Sequence, residues 1–360
     1  MTKLFACGTR AMGFKQLACS NCQCSHTKTI CFSCKNRYCG SCGSKSTQQW
    51  IQTQMEILPD TPWRHITFTM PCEFWPLFEL NRSLLNKLSS LAAKACLKLY
   101  KKYGITPGIF TALHTHGRAL NFHPHVHLSI TLSGLTENGS WKEVKLNKHK
   151  LMRAWRYQVI TLLRKSYPDL VIPGSLEFEG GTSSNWNVFL DFHYQRHWNI
   201  DLQRPSPNAY HTITYLGRYI KRPPVAYSKI LHYNDTGVMF RYLNHRTNQH
   251  ESIIFHSDEF IKNFTQHIHD KGFRVIRYYG FLANRLRKTL LQKVYQALGQ
   301  INSEPRKVTH ASLLQRFVNV NPLRCLLCDF PMRFVSIQRG LSISDLKKFH
   351  FQLATMRGVF

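Results

Sequence analysis

The chain has 360 residues, of which 43% are hydrophobic, and it carries 48 Lys and Arg against 19 Asp and Glu for a formal charge of +29. That length and apolar fraction predict a globular protein of two or three domains and exclude a disordered or fibrous chain. So large an excess of positive charge repels itself unless a polyanion is bound, which makes nucleic acid the expected partner.

The start, "MTKLFACGTRAMGFKQLACS", lacks an apolar core of signal-peptide length, and no apolar run approaches the roughly 18 residues of a membrane span. No membrane association is expected, and the expected location is cytoplasmic, at the nucleoid. Twelve cysteines in a reducing compartment then call for a reading other than disulfides.

Eight of them lie between Cys7 and Cys42. Cys19-x2-Cys22, Cys31-x2-Cys34 and Cys39-x2-Cys42 each place two thiolates on one tight turn, and two such turns complete a tetrahedral zinc site. A segment this short and polar has little other source of folding energy, so structural Zn²⁺ is expected. The simplest ribbon joins Cys19, Cys22, Cys39 and Cys42. Cys34 with some of Cys7, Cys24, His26 and Cys31 is then left for a second ion, and the pairing stays open. Arg10, Lys15, Lys28, Lys35, Arg37 and Lys45 are interleaved with no acidic residue before Glu56, which suits contact with phosphates.

After a polar stretch read as a connecting helix (Lys45 to Leu58), "WRHITFTMP" alternates as a strand and stops at Pro71. Residues 76 to 103 repeat apolar positions at helical spacing and predict one long amphipathic helix ending before Gly104. "GIFTALHTHG" and "HPHVHLSITLSG" read as two strands of an antiparallel hairpin joined by "RALNF".

With nineteen histidines, one His-x-His is expected by chance about once, so spacing alone is weak. His267-Ile268-His269 is read as such an accident. His125 and His127 differ because strand alternation points both the same way, about 7 Å apart at the backbone, with Val126 packed behind. His114 and His116 fall on the expected partner strand. Imidazoles gathered on facing strands would repel or stay unpaired unless a metal took them. The plainer alternative is a histidine-rich surface that touches phosphate directly.

In "SPNAYHTITYLGRYIKRPP", Ser206 is a good N-cap, Pro207 suits the first helical position and Pro223 ends the helix. Tyr215 and Tyr219 are four apart, so they rise about 6 Å along one face, with Arg218, Lys221 and Arg222 beside them. Alone such a pair is usually packing. Beside a metal site and a basic surface, a tyrosine can act as nucleophile toward a phosphodiester polarised by a divalent ion. No phosphate-binding loop of the G-x4-G-K-[ST] type is found, and a covalent intermediate needs no ATP to rejoin.

These blocks resemble the HUH endonucleases, and within them the rolling-circle transposases of the insertion sequence 91 family. The resemblance rests on His125-Val126-His127 after "HTHGRALNFHP" and on "YLGRYIKRP". It extends to "ACGTRAMG", "CFSCKNRYCGSC", "HITFTMP" and "EFIKNFTQHIHDKGFRVIRYYGFLANR". It implies an α+β chain: a zinc-binding module over residues 1–48, an antiparallel-sheet HUH domain flanked by helices over 61–230, and a basic DNA-binding region over 231–360.

The activity implied is nicking and rejoining of single-stranded DNA through a 5′-phosphotyrosine. His125 and His127 would hold catalytic Mg²⁺ or Mn²⁺, and Tyr215 and Tyr219 would be the nucleophiles. The family's "H-T-x-G" falls on His114, the candidate third ligand, with His116, His123 and His211 as alternatives. For zinc the candidates are Cys19, Cys22, Cys34, Cys39 and Cys42. This chain departs from the family in "CGSC", where a proline commonly follows the first cysteine, and in the extra Cys24 and Cys31.

From about residue 231, "FRYLNHRTNQHESIIF" reads as a strand pair and "GFLANRLRKTLLQKVYQALGQ" as an amphipathic helix. Arg274, Arg277, Arg285, Arg287 and Lys288 with Tyr278 and Tyr279 suit phosphate contact and base stacking along a single strand. Cys325-x2-Cys328 supplies two ligands and is read as borrowing partners from the N-terminal module. The expected partners are single-stranded ends of a mobile element and target DNA, with homo-oligomers compatible. The competing readings are a plasmid relaxase or replication initiator of the HUH class, and a non-catalytic zinc-finger binder of nucleic acid.

Overall fold

The computed structural model describes residues 2–176, 183–220, 224–234, 236–244, 247–301 and 308–349. The elements used below are, in chain order, β1 (Gly13–Cys19), β2 (Thr27–Cys31), α1 (Gly40–Ile57), β3 (Trp63–Phe68), α2 (Leu85–Lys101), β4 (Gly108–His116), β5 (Phe122–Thr131), α3 (Lys148–Ser166), β6 (Ile200–Leu202), α4 (Ala209–Ile220), β7 (Ile276–Gly280) and β8 (Met332–Arg339). Two compact units emerge. One runs from Ile57 to Leu216 and resumes at Tyr227. The other joins the N-terminal residues through Glu56, the end of α4 and the described residues from 308 onward.

The larger unit is built on a five-stranded sheet in the order β7-β4-β5-β3-β6, with every neighbouring pair antiparallel. Alternation divides its residues between two faces. Ile66 and Phe68 of β3, Ile109 and Leu113 of β4, and Val126, Leu128 and Ile130 of β5 bury one face against α2 and α3. Each such side chain withdrawn from water contributes about 1.5–3 kcal/mol. Two polar tips are satisfied in this core: Trp155 Nε1 donates to the Thr69 carbonyl at 2.7 Å, and Tyr100 Oη to that of Thr131 at 2.7 Å. The opposite face carries His65, Thr67, His114, His125 and His127, because Thr67 pairs with His127 and His114 with His125.

The expected hairpin is present, and so are the later strand pair (Gly237–Asn244 with Gln249–His256) and the helix Asn284–Ala297. The single helix expected over 76–103 is instead a short helix Trp75–Leu80, a 3₁₀ turn Arg82–Leu84 and α2. Asn81 makes the break. Its amide donates to the carbonyls of Leu77 and Val171, both at 2.8 Å, and its Oδ1 accepts from Val171 N at 2.8 Å. A side chain bonded to main chain in this way offers the backbone an alternative to the helical ladder.

In the smaller unit β1 lies between β2 and β8 in an antiparallel sheet, with Gly13 opposite Arg339 and Cys19 opposite Met332. The sheets therefore cut across the linear division 1–48, 61–230 and 231–360. Within the last range, β7 completes the central sheet while β8 completes the N-terminal one. Strand pairing is set by register and burial, which a division of the chain into consecutive segments does not see.

Candidate active site and cysteine clusters

Three imidazoles converge on the polar face. One ring nitrogen from each of His114, His125 and His127 lies within 4.8 Å of the others, so the candidate third ligand is brought to the pair. His125 Nδ1 lies 2.8 Å from the His123 carbonyl, which fixes its proton there and leaves Nε2 as the lone-pair nitrogen. His125 Nε2 and His127 Nε2 stand 3.1 Å apart. Adjacent octahedral ligands at about 2.1 Å from one ion sit about 3 Å apart, so the pair fits a shared divalent cation.

Two of the alternative ligands, His116 and His123, form the margin of this cluster. His116 stacks on His114 with centroids 5.2 Å apart, and His123 lies 4.8 Å from His125. His211 is turned to Asn208, its Nδ1 2.8 Å from Oδ1.

A fourth imidazole, unassigned by sequence reasoning, joins them. His65 Nε2 is 3.0 Å from His127 Nδ1 and 3.4 Å from the Thr67 hydroxyl. Burial pushes His65 down to about 4, and burial with the neighbouring His123 pushes His125 to about 4. Burial, then the charges of His125 and His65, puts His127 well below its ordinary value. These rings are neutral near pH 7, the form that binds metal. The signal for His65 was the alternation of "HITF", which places His65 and Thr67 on one face.

Tyr215 is part of this site. Its ring meets the edge of His65 with centroids 5.4 Å apart, and Gln203 Nε2 donates to its hydroxyl at 3.2 Å. Gln203, also unforeseen, follows β6 and lies 3.5 Å from Asp201 Oδ2, the residue opposite Thr67 in the sheet.

Tyr219 lies in the same helix, but its side chain and that of Arg218 lie outside the described residues, as do Lys221 and Arg222. The structure does not bring Arg277 to the histidines. It pairs with Thr111, places its guanidinium 3.1 Å from Asn86 Oδ1 and so faces the helical side. Tyr278, one residue on, faces the histidine side opposite Phe110. Arg285 is exposed in the first turn of its helix.

The cysteines form two sets of four rather than the simplest ribbon. Cys7, Cys34, Cys39 and Cys42 make one, and Cys19, Cys24, Cys325 and Cys328 the other. Cys22 is exposed and belongs to neither, and Cys19 is separated from Cys39 and Cys42. In the first set Cys7 and Cys42 are 3.5 Å apart, Cys7 and Cys39 3.6 Å, and Cys34 and Cys42 3.8 Å. A tetrahedral zinc at about 2.3 Å from each sulfur spaces them at about 3.8 Å, whereas a disulfide needs about 2.05 Å. The geometry fits zinc. Main-chain N–H groups support the sulfurs: Cys34 N donates to Cys7 Sγ at 3.2 Å and Asn36 N to Cys34 Sγ at 3.5 Å.

Comparison with known proteins bears on this arrangement. The family described as "Putative transposase" matches residues 108–289, and the family described as "Transposase zinc-binding domain" matches residues 1–70. The transposase for insertion sequence element IS801 of Pseudomonas savastanoi pv. phaseolicola is 41% identical over 362 residues, spanning 100% of this chain and 88% of that protein. The "Putative transposase y4qJ" of Sinorhizobium fredii is 29% identical over 314 residues, 83% of this chain and 77% of the relative. No solved structure gives a significant match.

These matches make the chain a transposase, an enzyme that cleaves DNA and transfers it. The chain belongs to the insertion sequence 91 family. Among the described residues no helix is long and apolar enough to cross a membrane.

Proposed function

We propose that this transposase nicks and rejoins single-stranded DNA through a 5′-phosphotyrosine during rolling-circle transposition. The observation that carries the reading is Tyr215 set against His65, which is itself bonded to one of the three convergent histidines. The Tyr215 phenol oxygen forms a bond to phosphorus as the bond to the 3′ oxygen breaks. The phenolic proton goes to the departing 3′ oxygen by way of solvent or a neighbouring base, leaving a free 3′-hydroxyl and a tyrosyl 5′-phosphate. Reversal with a different 3′-hydroxyl rejoins the strand without ATP.

His114, His125 and His127 would hold a divalent ion, which when bound polarises the scissile phosphate. Three imidazoles without a carboxylate favour a transition ion such as Mn²⁺ over Mg²⁺. Gln203 donates to the phenol oxygen and so favours the charge that oxygen bears as a nucleophile. Tyr219, one helical turn from Tyr215, would serve as the second nucleophile, so that one tyrosine stays linked to DNA while the other attacks. Arg218, Lys221, Arg222, Arg277 and Arg285 would contribute phosphate contacts, and Cys7, Cys34, Cys39 and Cys42 would hold zinc. The protein would act at the nucleoid on element ends and target DNA.

The test is denaturing electrophoresis of the protein with labelled single-stranded element ends and Mn²⁺, followed by peptide mapping of the shifted band. DNA is expected on Tyr215 and on Tyr219, and no adduct is expected with both changed to phenylalanine. His125→Ala with His127→Ala should stop nicking and spare single-strand binding, which rests on Lys and Arg. An adduct on neither tyrosine would overturn the catalytic reading.

A further inference from the structure

We propose that Cys19, Cys24, Cys325 and Cys328 hold a second zinc ion that ties the two ends of the chain together. The recognised zinc-binding domain ends at residue 70, so half of this ligand set lies far outside it. Cys19 and Cys328 are 3.4 Å apart and Cys24 and Cys325 are 3.7 Å apart, the spacing a tetrahedral ion imposes and well beyond a disulfide.

Both turns are shaped to present sulfur. On the N-terminal side Asn21 N donates to Cys19 Sγ at 3.4 Å, and Asn21 Oδ1 accepts from Gln23 N at 3.0 Å, a turn that leaves Cys22 exposed and brings Cys24 inward. On the C-terminal side Leu327 N donates to Cys325 Sγ at 3.4 Å. Cys325 N donates to the Phe330 carbonyl at 2.8 Å, and Asp329 closes the turn at φ 57°. Ser20 N donates to the Pro331 carbonyl at 3.0 Å and locks the two turns in register. His26 Nδ1 lies 3.0 Å from Cys325 Sγ and is placed to donate to a thiolate.

An independent observation calls for such a tie. Every residue of β8 after Met332 is exposed, so the strand is held to β1 by main-chain hydrogen bonds with little apolar burial. A strand that buries no side chain of its own adds little to the stability of a small sheet, and a metal bound only by the folded arrangement contributes its binding energy to folding. The inference is independent of the chemistry at the histidine site.

The experiment measures zinc per chain by native mass spectrometry on the full-length protein and maps thiols alkylated without denaturant. Two zinc ions are expected. Cys19, Cys24, Cys325 and Cys328 should be protected until a chelator is added, while Cys22 and Cys72, both exposed, should react at once. C325S with C328S should lose one ion and retain the other, and C22S should keep both. One zinc per chain with these four thiols reacting as fast as Cys22 would overturn the proposal. So would a C325S/C328S protein that still holds two ions. The alkylation map uses the unaltered chain and therefore decides the matter even if the double variant does not fold.

Discussion

His65 and His127 lie nearly parallel, with ring centroids 5.1 Å apart and an interplanar angle of 18°, and His65 Nε2 is 3.0 Å from His127 Nδ1. If His127 offers Nε2 to a metal, its proton sits on Nδ1 and donates to His65. His65→Ala should therefore weaken Mn²⁺ binding about 10-fold or more, the usual effect of losing a partner that orients a ligand. His65→Gln, which retains an acceptor, should recover part of it. Calorimetric titration with Mn²⁺ measures both, and equal affinities across the three proteins would remove His65 from this role.

Gln203 donates to the Tyr215 hydroxyl at 3.2 Å. A hydrogen bond to a group that becomes charged is worth about 1.5–3 kcal/mol, or about 10- to 150-fold in rate. Gln203→Leu should slow adduct formation by that order while leaving affinity for single-stranded DNA unchanged. Single-turnover kinetics beside fluorescence anisotropy separates the two.

Gly280 ends β7 at φ 62°, and a Cβ there would run into the Pro107 carbonyl. Gly280→Ala combines a left-handed backbone with a clash against main chain that cannot swing away. We expect a loss of about 2 kcal/mol or more, read as a lower urea midpoint. Gly139, also at positive φ but with open space around its Cβ position, should cost less when changed to alanine.

His267 is buried between the Thr115 hydroxyl, 3.2 Å from Nδ1, and the Leu120 carbonyl, 3.0 Å from Nε2. Burial pushes it down to about 4 from its ordinary 6.5. As pH falls through 6.5 the unfolded chain takes up a proton that the folded one refuses, so this stability is complete above 6.5 and lost progressively toward 4. Urea midpoints with no divalent ion added should fall between pH 7 and pH 5, and His267→Gln should flatten that fall. His267 and His269 join none of the metal-capable groups among the described residues, as an accidental spacing would have it, and the first of them serves packing and hydrogen bonding instead.

What was legible in the sequence was local. Alternation around Val126 placed His125 and His127 on one face. The helix of Tyr215 starts at Ala209 and not after Ser206, whose main chain is bonded to that of Trp63, and the stop expected at Pro223 lies outside the described residues. Interactions fixed by register were not legible. His65 meets His127 only because β3 lies beside β5, and Gln203 reaches Tyr215 from the far side of β3. The exchange of Cys22 for Cys24 follows from an Asn21 turn whose direction no cysteine spacing encodes. The helix break at Asn81 depends on Val171, ninety residues away in sequence.

The pairing of β1 with β8 also sets a timetable. β1 meets β2 within a few residues, but the strand on its other side pairs Arg339 with Gly13, so more than three hundred residues separate the first strand from its second neighbour. At about 5–20 residues per second that interval is about 15–60 s. A nascent chain can complete the central sheet, which closes with β7 at Gly280, well before its terminal module. Any function that needs the finished module is withheld until β8 has been made, and a transcript cut short before β8 yields a protein with its histidine face intact and its N-terminal sheet unfinished.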